Sequence, residues 1–379
     1  MRELKSPISG GLSSIGPMSS PVPVSFPAAR LTMIAVQHPR RARRVLAALA
    51  MVGAGLSLST AASAQTLEKV KARGSVICGV NPDLLGFSTK DAQGSWSGFD
   101  IDLCRALAAA IFNDPSKVQF TPLAATERLQ ALQADQIDVL SRNTTWTFSR
   151  EAPLKLSFAA VTYYDGQGFL VRRSTKAASA LELDGASVCV QKGTTSALNF
   201  ADFFRTNRMK YQLVALESLD ELLKAYDQGK CTVLTSDTSQ LFAARLRLGA
   251  PDDHVVLPDI ISKEPLGPFV RFGDDQWLGI VKWVHFAMIN AEELGVSSKT
   301  VDEALKSNKP DVKRLVGTDE NYGAQIGLTN DWAARIIRHV GNYGEVFERN
   351  VGAESRLAIP RGINGLWTNG GIQYAPPIR

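Results

Sequence analysis

Short runs of β-type residues alternate with helical segments along most of this chain. Extended, largely apolar runs predict strands at residues 75–80, 118–123, 137–140, 168–173, 186–191, 211–216 and 231–236. Segments with a helical spacing of apolar residues predict helices at residues 100–112, 126–135, 196–206, 218–228 and 238–248. Because strands that alternate with helices usually form βαβ units, this pattern predicts an α/β fold with mostly parallel sheets.

The first 64 residues differ from the rest of the chain in charge and hydropathy. They hold seven of the 42 Lys and Arg but one of the 37 Asp and Glu, so the remaining 35 basic and 36 acidic residues nearly balance. The net charge of +5 therefore does not indicate a nucleic-acid partner. Four arginines within residues 40–44, an apolar run over residues 45–58 and the sequence Ala-Ser-Ala before Gln65 are typical of a secretory signal.

We expect this signal to be cleaved after Ala64. Its fourteen apolar residues are too few for a transmembrane helix, which needs about 20. Residues 1–32 are unusual in front of a signal, and Met33 is a better start, so we interpret the extension as a gene-model artefact. Residues 65–379 are long for a single hydrophobic core and suit two domains.

Four cysteines lie beyond the predicted signal, at Cys78, Cys104, Cys189 and Cys231. Outside the cytoplasm we expect them to be paired, with four buried thiols as the alternative. Four cysteines allow three connectivities, and the sequence alone does not choose between them. If each of two lobes contains its own disulfide, the pairs are Cys78 with Cys104 and Cys189 with Cys231.

Two windows 94 positions apart resemble each other. Residues 131–145 and 225–239 share Ala, Val, Leu and Thr at matching positions, and both read as helix, turn, strand and polar strand end. The alternative is a common supersecondary pattern. The match places Asn143 and Asp237 at equivalent strand ends, where open α/β sheets bind ligands. The candidate connections between two such lobes are the extended runs at residues 168–173 and 264–272.

Several polar residues near these strand ends suit the charged groups of an amino acid. Thr194 and Thr195 stand where a strand gives way to a helix, and the free N–H groups there suit a small anion, with a simple helix cap as the alternative. The guanidinium of Arg150 can form two parallel hydrogen bonds with a carboxylate, unless this arginine is only a solvated surface residue. Asp237 is placed to accept an ammonium group or to cap a helix. Together these residues predict a site for a zwitterion, a free amino acid.

The motifs resemble, in order, those of the bacterial periplasmic solute-binding proteins of the polar amino-acid uptake class (extracellular solute-binding proteins, family 3), which serve ABC transporters. Residues 76–108 resemble the family's first strand, its aromatic-bearing loop and its Gly-Phe-Asp helix start. Residues 137–151 resemble its strand, hydroxyl run and arginine, and residues 190–196 resemble its Gly-Thr-Thr turn. The tail over residues 330–379 is similar to the C-terminal extension of the general L-amino-acid binders, including those for glutamate, glutamine, aspartate and asparagine.

This resemblance implies the type II periplasmic binding protein fold, in which two α/β lobes are joined by a two-strand hinge. The expected boundaries are the extension and signal over 1–64, the first part of lobe one over 65–171, lobe two over 172–266, and the second part of lobe one with the C-terminal extension over 267–379. The lobes are expected to close around the ligand by a hinge motion.

The resemblance also implies roles for individual residues. Arg150 would clamp the α-carboxylate of the ligand, and Asp237 would accept its α-ammonium. Further ligand contacts are expected from Thr145, Thr194, Thr195, Asn143, Asn81, Leu84, Phe87 and Gln191. Leu84 stands where several single-ligand relatives carry an aromatic residue, so a stacking wall is absent. Arg142 is either the partner of a side-chain carboxylate or part of a surface or interlobe salt bridge.

The function implied is therefore binding and not catalysis. The expected partners are a free L-amino acid and the permease subunits of an ABC importer in the inner membrane, with the protein itself a monomer in the periplasm. No cysteine follows the predicted cleavage site, which favours a free protein over a lipid-anchored one. No cofactor, metal or nucleic acid is expected.

Two alternatives use the same fold. Some relatives are cyclohexadienyl or arogenate dehydratases, but such enzymes need an acid or base with a tuned pKa. The candidate histidines, His254, His285 and His339, are scattered, and no hydrolase, metalloprotease or Walker motif appears. The other alternative is an extracellular sensor domain, which would need a separate receptor.

Overall fold

A computed structural model describes residues 66–379, so the predicted signal and its cleavage near Ala64 lie outside the described residues. In this part of the chain strands and helices alternate, as the sequence predicts. The strands are β1 (Val76–Val80), β2 (Thr89–Lys90), β3 (Trp96–Ser97), β4 (Val118–Pro122), β5 (Val139–Thr145), β6 (Leu156–Phe158), β7 (Tyr163–Asp165), β8 (Gln167–Arg172), β9 (Ala186–Gln191), β10 (Tyr211–Leu216), β11 (Val233–Asp237), β12 (His254–Val256) and β13 (Glu264–Arg271). The helices are α1 (Thr66–Arg73), α2 (Phe99–Phe112), α3 (Arg128–Gln133), α4 (Phe148–Glu151), α5 (Ser196–Thr206), α6 (Leu219–Asp227), α7 (Thr238–Arg245), α8 (Asp275–Glu293), α9 (Val301–Ala304), α10 (Pro310–Val316), α11 (Tyr322–Gln325), α12 (Trp332–His339) and α13 (Tyr343–Asn350). None of these helices combines the length and apolar character required to cross a bilayer.

The first sheet has the strand order β4-β1-β5-β13-β6, with β7 paired to β13. Strands β4, β1 and β5 are parallel, whereas β13 runs antiparallel to β5, β6 and β7. β1 reads Val-Ile-Cys-Gly-Val and is almost wholly buried, as expected for a parallel strand that is covered on both faces. Together with the helices packed around it, this sheet forms the first lobe.

The C-terminal helices pack onto the first lobe. Helices α12 and α13 both contact α2 and α8. A capping box starts α13, in which the side chains of Asn342 and Glu345 each accept a hydrogen bond from the other's backbone N–H. Tyr343 and Phe347 of this helix pack edge-on against Phe99. The C-terminal segment therefore adds buried aromatic surface to the core of the first lobe.

The second sheet has the order β10-β9-β11-β8-β12 and forms the second lobe. Strands β10, β9 and β11 are parallel, and β8 is antiparallel to both β11 and β12. Side chains along β8 alternate between two apolar clusters, with Phe169 and Val171 in one and Leu170 in the other. Both faces of this sheet are therefore covered, since successive side chains of a strand point to opposite sides.

The chain crosses between the lobes at two adjacent places. Gly166 alone separates β7 in the first sheet from β8 in the second, and residues 257–263 lead back from β12 to β13. The two crossings lie side by side, because the N–H of Ile261 donates to the carbonyl oxygen of Gln167 at 2.9 Å. A Cβ at Gly166 would lie 2.3 Å from Cγ2 of Ile260, so only glycine fits there without movement.

The runs at 168–173 and 264–272 were expected to be the connections between the lobes, and the structure places them elsewhere. They lie within β8 and β13, each inside one sheet, because apolar extended runs bury their side chains in a sheet rather than in a crossing. The second sheet begins at Gln167, and the first sheet resumes at Glu264.

Both disulfides join residues of a single lobe. Cys78 of β1 pairs with Cys104 of α2, and Cys189 of β9 pairs with Cys231, which precedes β11. Their Cα atoms are 6.3 and 5.7 Å apart, within the usual range for a disulfide. The pairing expected for two separately closed lobes is confirmed, and no cysteine is free among the described residues.

We predict that removal of the second-lobe disulfide by Cys189→Ala with Cys231→Ala lowers the free energy of unfolding by about 4 kcal/mol at most. The bridge closes a loop of 42 residues, and a loop of that length restricts the unfolded chain by about this amount. Denaturant unfolding measures the change, with Cys78→Ala and Cys104→Ala as the matched pair. That pair closes a loop of 26 residues and should cost about 3.5 kcal/mol. A change below about 1 kcal/mol for both pairs would contradict the expected contribution.

Candidate functional site

Polar residues from both lobes meet at the carboxyl ends of parallel strands. β5 ends at Thr145 in the first lobe, and β9 and β11 end at Gln191 and Asp237 in the second. The Oγ1 atoms of Thr145 and Thr195 lie 3.5 Å apart, so the lobes are in contact at this point. Open α/β sheets bind ligands beyond the carboxyl ends of their strands. The cleft between the lobes is therefore the candidate site.

Arg150 brings a buried positive charge to this cleft. It lies in α4, directly after β5, and only 8% of its surface is exposed. Its Nη1 donates to the carbonyl oxygen of Thr145 at 2.9 Å. Burial lowers the pKa of Arg150, while the nearby carboxylates of Asp237 and Glu264 oppose that change. Among residues 66–379 no carboxylate lies within 4 Å of this guanidinium, which leaves it free to pair with one from a ligand.

Asp237 brings a buried carboxylate to the same cleft from the second lobe. It precedes α7, but its side chain makes no capping hydrogen bond to that helix. Its Oδ2 accepts a hydrogen bond from Nε2 of Gln240 at 2.7 Å. Burial raises the pKa of Asp237 well above its ordinary value, and the neighbouring Asp165 and Glu264 raise it further. A cation placed beside Asp237 would reverse this effect, because an opposite charge favours the ionised form.

Glu264, at the start of β13, links the two lobes and the second crossing. It is 1% exposed, and its Oε2 accepts from Thr145 at 2.6 Å and from Thr195 at 3.0 Å. Its Oε1 accepts from Asn199 and from Ser262, each at 2.6 Å. The two threonine hydroxyls that the sequence assigns to a ligand are therefore directed at Glu264. Glu264 is also opposite Asp165 in the pairing of β13 with β7, and burial raises the pKa of Asp165 to about 6.

Asn143 occupies a strained position in β5. Its φ of 34° is in the left-handed region, which is uncommon for a residue other than glycine and is frequent at functional sites. Its Oδ1 accepts from Nδ2 of Asn81 at 3.0 Å, and its N–H donates to Oδ2 of Asp100 at 2.8 Å. Burial raises the pKa of Asp100 to about 7, although the hydrogen bond from Asn143 and the charge of Arg142 act in the opposite direction. The structure therefore brings Asn81 and Asn143, two of the expected ligand contacts, together next to the buried Asp100.

A pocket of about 120 Å³ lies between the lobes next to these residues. Four of the residues predicted from the sequence line it, namely Asn81, Leu84, Arg142 and Gln191. The other lining residues are Pro82, Asp83, Ala124, Glu217, Ser218, Leu219, Asp220 and Gln240. Its walls therefore combine apolar surface with polar and charged groups, as is usual for the binding site of a small molecule.

Two predicted contacts have other surroundings. Phe87 is 1% exposed and packs against Phe99 and Tyr163 in the core of the first lobe, so it does not line the pocket. An apolar aromatic side chain gains more from this cluster than from a polar cleft. The hydroxyl of Thr194 donates to the carbonyl oxygen of Gln191 at 2.7 Å and thus stabilises the loop after β9.

The lobes also approach each other where residues 125–128 meet the loop at Gly193. The φ of Gly193 is 73°, and a Cβ there would lie 2.9 Å from the backbone nitrogen of Thr126. Nη2 of Arg128 donates across the cleft to the carbonyl oxygen of Gly193 at 3.3 Å. Arg128 is 2% exposed and its Nε has no hydrogen-bond partner. Glycine is required at position 193, because the approach is backbone to backbone.

The sequence predictions omit several residues that define this cleft: Asp100, Arg128, Asp165, Gln240 and Glu264. One feature of the sequence could have identified Glu264 as a site residue: it is a single acid at the start of an apolar extended run. No feature of the sequence identifies Arg128, because an arginine at the start of a short helix is just as often an exposed surface residue. Within residues 66–379 no group of three or more His, Cys, Asp or Glu side chains is arranged to hold a metal ion.

Comparison with known proteins gives consistent matches. Residues 76–300 match the family described as bacterial extracellular solute-binding proteins, family 3. The chain is 57% identical to the general L-amino acid-binding periplasmic protein AapJ of Rhizobium johnstonii over 88% of this chain and 97% of that protein. It is 50% identical to the glutamate/glutamine/aspartate/asparagine-binding protein BztA of Rhodobacter capsulatus over 84% of this chain and 95% of that protein.

A solved structure is similar as well. It is described as an ABC transporter/periplasmic binding protein from Brucella ovis with glutathione bound, and it is 53% identical with a TM-score of 0.82 over 83% of this chain and 100% of that chain. These matches confirm the resemblance found in the sequence. They also confirm the predicted fold class, two α/β lobes of the type II periplasmic binding protein fold.

We predict that the contribution of Asp100 to the stability of the protein without added ligand falls as the pH rises from about 4 to about 7. Asp100 has a pKa of about 7 when folded and 3.8 as its ordinary value, so the folded state binds the extra proton and is favoured at the lower pH. The difference attributable to Asp100 is up to about 4 kcal/mol. Denaturant unfolding at several pH values should show a smaller dependence for Asp100→Asn, whose amide oxygen still accepts from Asn143.

The exposed Asp227→Asn in the second lobe is the control for that experiment and should leave the pH dependence unchanged. Identical pH dependence for wild type and Asp100→Asn would contradict the prediction.

Proposed function

This chain belongs to the bacterial extracellular solute-binding proteins, family 3, and from that premise we propose that it captures a free L-amino acid between its lobes and delivers it to an ABC importer. The observation that carries the proposal is that Arg150 of the first lobe and Asp237 of the second are both buried at the cleft and form no ion pair with each other. The first offers a guanidinium without a close carboxylate, and the second offers a carboxylate whose ionisation is disfavoured by burial. A zwitterion supplies the missing partner of each, and buried charges are tolerated only when they are paired and hydrogen-bonded.

In this proposal Arg150 clamps the α-carboxylate of the ligand. Its planar guanidinium can donate two parallel hydrogen bonds, while its bond to Thr145 holds it in place. Thr145 and Thr195 lie beside it and are held by Glu264, so their hydroxyls can turn to the ligand when it binds. The N–H groups of the loop that contains Thr194 precede α5 and favour the same anion.

Asp237 accepts the α-ammonium group, with Glu264 and Asp165 adding negative charge nearby. The side chain of the amino acid then faces the pocket lined by Asn81, Leu84 and Gln191. Asn143 takes part through its bond with Asn81. Phe87 does not contact the ligand in this proposal and supports the first lobe as a core residue.

Capture requires the lobes to open and close. The crossing at Gly166 is a single residue, and the second crossing lies beside it, so a rotation there moves one lobe relative to the other with little change inside either. We take residues 66–165 and 264–379 as the first lobe and residues 167–261 as the second. Closure brings Thr195 and Gly193 of the second lobe against Thr145 and Thr126 of the first.

The proposed setting follows from the family. The protein acts in the periplasm as a monomer after cleavage near Ala64, and its partners are the permease subunits of the importer in the inner membrane. We propose that it is not an enzyme. Relatives at 50–57% identity are named as binding proteins, which does not favour the dehydratase alternative. His285 lies on α8, and burial lowers its pKa to about 4. Its Nε2 donates to the carbonyl oxygen of Val161 at 3.0 Å, outside the cleft.

Glutathione is a second candidate ligand. The solved structure from Brucella ovis that is 53% identical to this chain is described with glutathione bound. The γ-glutamyl residue of glutathione keeps a free α-carboxylate and α-ammonium, so the same clamp of Arg150 and Asp237 would accept it. Its remaining part would extend from the pocket toward the solvent.

We predict that Arg150→Ala loses about 2–5 kcal/mol of binding free energy for every ligand, because it leaves the α-carboxylate buried and unpaired. Thermal unfolding of the protein, refolded to remove carried-over ligand, is measured against each standard L-amino acid and glutathione. Ligand at 100 times its dissociation constant adds about 2.7 kcal/mol to the stability of the wild type.

Arg205→Ala, an exposed arginine of α5, is the control for Arg150→Ala and should keep the full response. If Arg150→Ala binds its ligands with wild-type affinity, Arg150 does not bind the α-carboxylate. A wild type that responds to glutathione and to no amino acid would establish the second candidate.

We predict that Gly193→Ala weakens ligand binding by about tenfold or more, because the added Cβ meets the backbone of Thr126 on closure. Gly185→Ala is the matched control, since Gly185 has a similar φ of 77° and nothing within 4 Å of the added Cβ. Both substitutions should cost about 1–2 kcal/mol in unfolding free energy from backbone strain. Isothermal titration calorimetry should find weakened binding for position 193 alone, and equal affinities would argue against closure at this point.

A further inference from the structure

Residues 361–373, in the C-terminal extension, lie against the strand that leads out of the first lobe, and we call this segment the C-terminal brace. The match to the family ends at residue 300, so the brace lies outside the part of the chain that the family model covers. The strand that it contacts is β7, which ends one residue before the crossing at Gly166. The proposed ligand contacts give the brace no role.

Only one edge of β7 is paired with another strand. Tyr164 of β7 lies opposite Pro265 of β13, which has no N–H to donate and whose carbonyl oxygen accepts from Trp146 on the β5 side. The N–H and the carbonyl oxygen of Tyr164 therefore point away from β13. On that side no strand within residues 66–379 pairs with β7, and backbone groups at a buried edge need a partner.

The side chain of Asn364 supplies this partner. Its Oδ1 accepts from the N–H of Tyr164 at 2.7 Å, and its Nδ2 donates to the carbonyl oxygen of Tyr164 at 2.9 Å. One side-chain amide thus makes the pair of hydrogen bonds that a neighbouring antiparallel strand would make. Asn364 is 4% exposed, so these bonds are shielded from water.

The brace is itself fixed to the first lobe. Arg361 donates to both carboxylate oxygens of Glu292 on α8, at 3.1 and 3.2 Å, and also to the carbonyl oxygen of Asn364. Gln373 is 2% exposed and donates to the carbonyl oxygen of Thr162, just before β7, at 3.3 Å. The brace therefore holds β7 in a fixed position relative to the rest of the first lobe.

β7 also contacts the second lobe. Asp165, the residue after Tyr164, accepts hydrogen bonds from the N–H and the hydroxyl of Ser239 on α7. Ser239 lies two residues after Asp237, the proposed acceptor of the α-ammonium group. Asp165 is also opposite Glu264, whose carboxylate accepts hydrogen bonds from both lobes. A shift of β7 would therefore disturb the ammonium site and the contacts between the lobes together.

We propose that Asn364 is a positioning residue for lobe closure. By pairing with the free edge of β7 it fixes the strand that enters the crossing at Gly166, and it thereby favours the closed arrangement of the lobes. This inference rests on the proposed function, since it takes closure around a ligand as the step that Asn364 supports. Asn364 acts through Tyr164 and Asp165 and does not contact the ligand. Without it the closed form is less populated, and the apparent affinity falls with that population.

The test compares Asn364→Leu with Asn330→Leu. Leucine is close to asparagine in size but neither donates nor accepts a hydrogen bond from its side chain. Asn330 is the matched control in the same C-terminal extension, because its Nδ2 donates to the carbonyl oxygens of Gly317 and Glu320, at 2.6 and 2.7 Å, and makes no hydrogen bond to β7. Both variants should lose some stability to denaturant.

The two variants should differ in binding. Isothermal titration calorimetry with L-glutamate, L-glutamine and glutathione should show affinities that are weaker by about threefold or more for Asn364→Leu, for whichever of these the wild type binds. Asn330→Leu should change them by less than about twofold.

The distance between the lobes gives a second measurement that does not depend on the ligand. Gln130→Cys on α3 and Lys224→Cys on α6 introduce exposed cysteines for spin labels, and all four native cysteines are in disulfides. Pulsed electron paramagnetic resonance then gives the distribution of distances in the protein without ligand. We expect Asn364→Leu to broaden this distribution toward longer distances and Asn330→Leu to leave it unchanged.

Several outcomes would overturn the inference. An unchanged distance distribution in Asn364→Leu would show that the brace does not influence the lobes. Equal losses of affinity in Asn364→Leu and Asn330→Leu would show that both residues only stabilise the first lobe. No binding of any of the three ligands by the wild type would count against the proposed function, while the distance distributions would still decide the role of Asn364.

Asn364→Asp replaces Asn364→Leu if the leucine variant does not fold. It keeps the shape of the side chain and the acceptor for the N–H of Tyr164 but removes the donor to the carbonyl oxygen. We expect the same broadening and the same loss of affinity at a smaller size. Wild-type affinity together with a wild-type distance distribution in Asn364→Asp would contradict the inference.

Discussion

The carboxylate of Glu264 receives hydrogen bonds from every part of the molecule that meets at the cleft. Thr145 donates from the first lobe, Thr195 and Asn199 from the second, and Ser262 from the crossing between them. A carboxylate that is 1% exposed is stable only if such donors surround it, so the lobes, the crossing and the site are constrained together. Movement of one lobe relative to the other would break some of these bonds.

Much of the fold could be predicted from the sequence, because it depends on local patterns. The alternation of apolar runs and helical segments indicates two α/β lobes, and the two disulfides follow from treating each lobe separately. Strand ends such as Thr145 and Asp237 could also be located, since a parallel strand brings its carboxyl end to a known edge of the sheet.

The rest of the site could not be predicted, because it depends on contacts between distant segments. Glu264 is 119 residues from Thr145 along the chain, and its role appears only when β13 lies beside β5. Arg128 meets Gly193 across 65 residues. Phe87 was predicted to contact the ligand, because an aromatic side chain can line a binding site or pack in a core. In the structure it packs against Tyr163, which is distant in sequence, and so belongs to the core. Local patterns identify polar strand ends but not the partners that they face.

The two disulfides have a mechanical consequence. Each joins residues within one lobe, and neither spans the crossing at Gly166. Covalent cross-links therefore make each half rigid and leave the angle between the halves unrestrained. The disulfides can therefore raise the resistance of each lobe to unfolding without restricting the movement of one lobe relative to the other. Disulfide formation under oxidising conditions therefore stabilises each lobe and does not cross-link one lobe to the other.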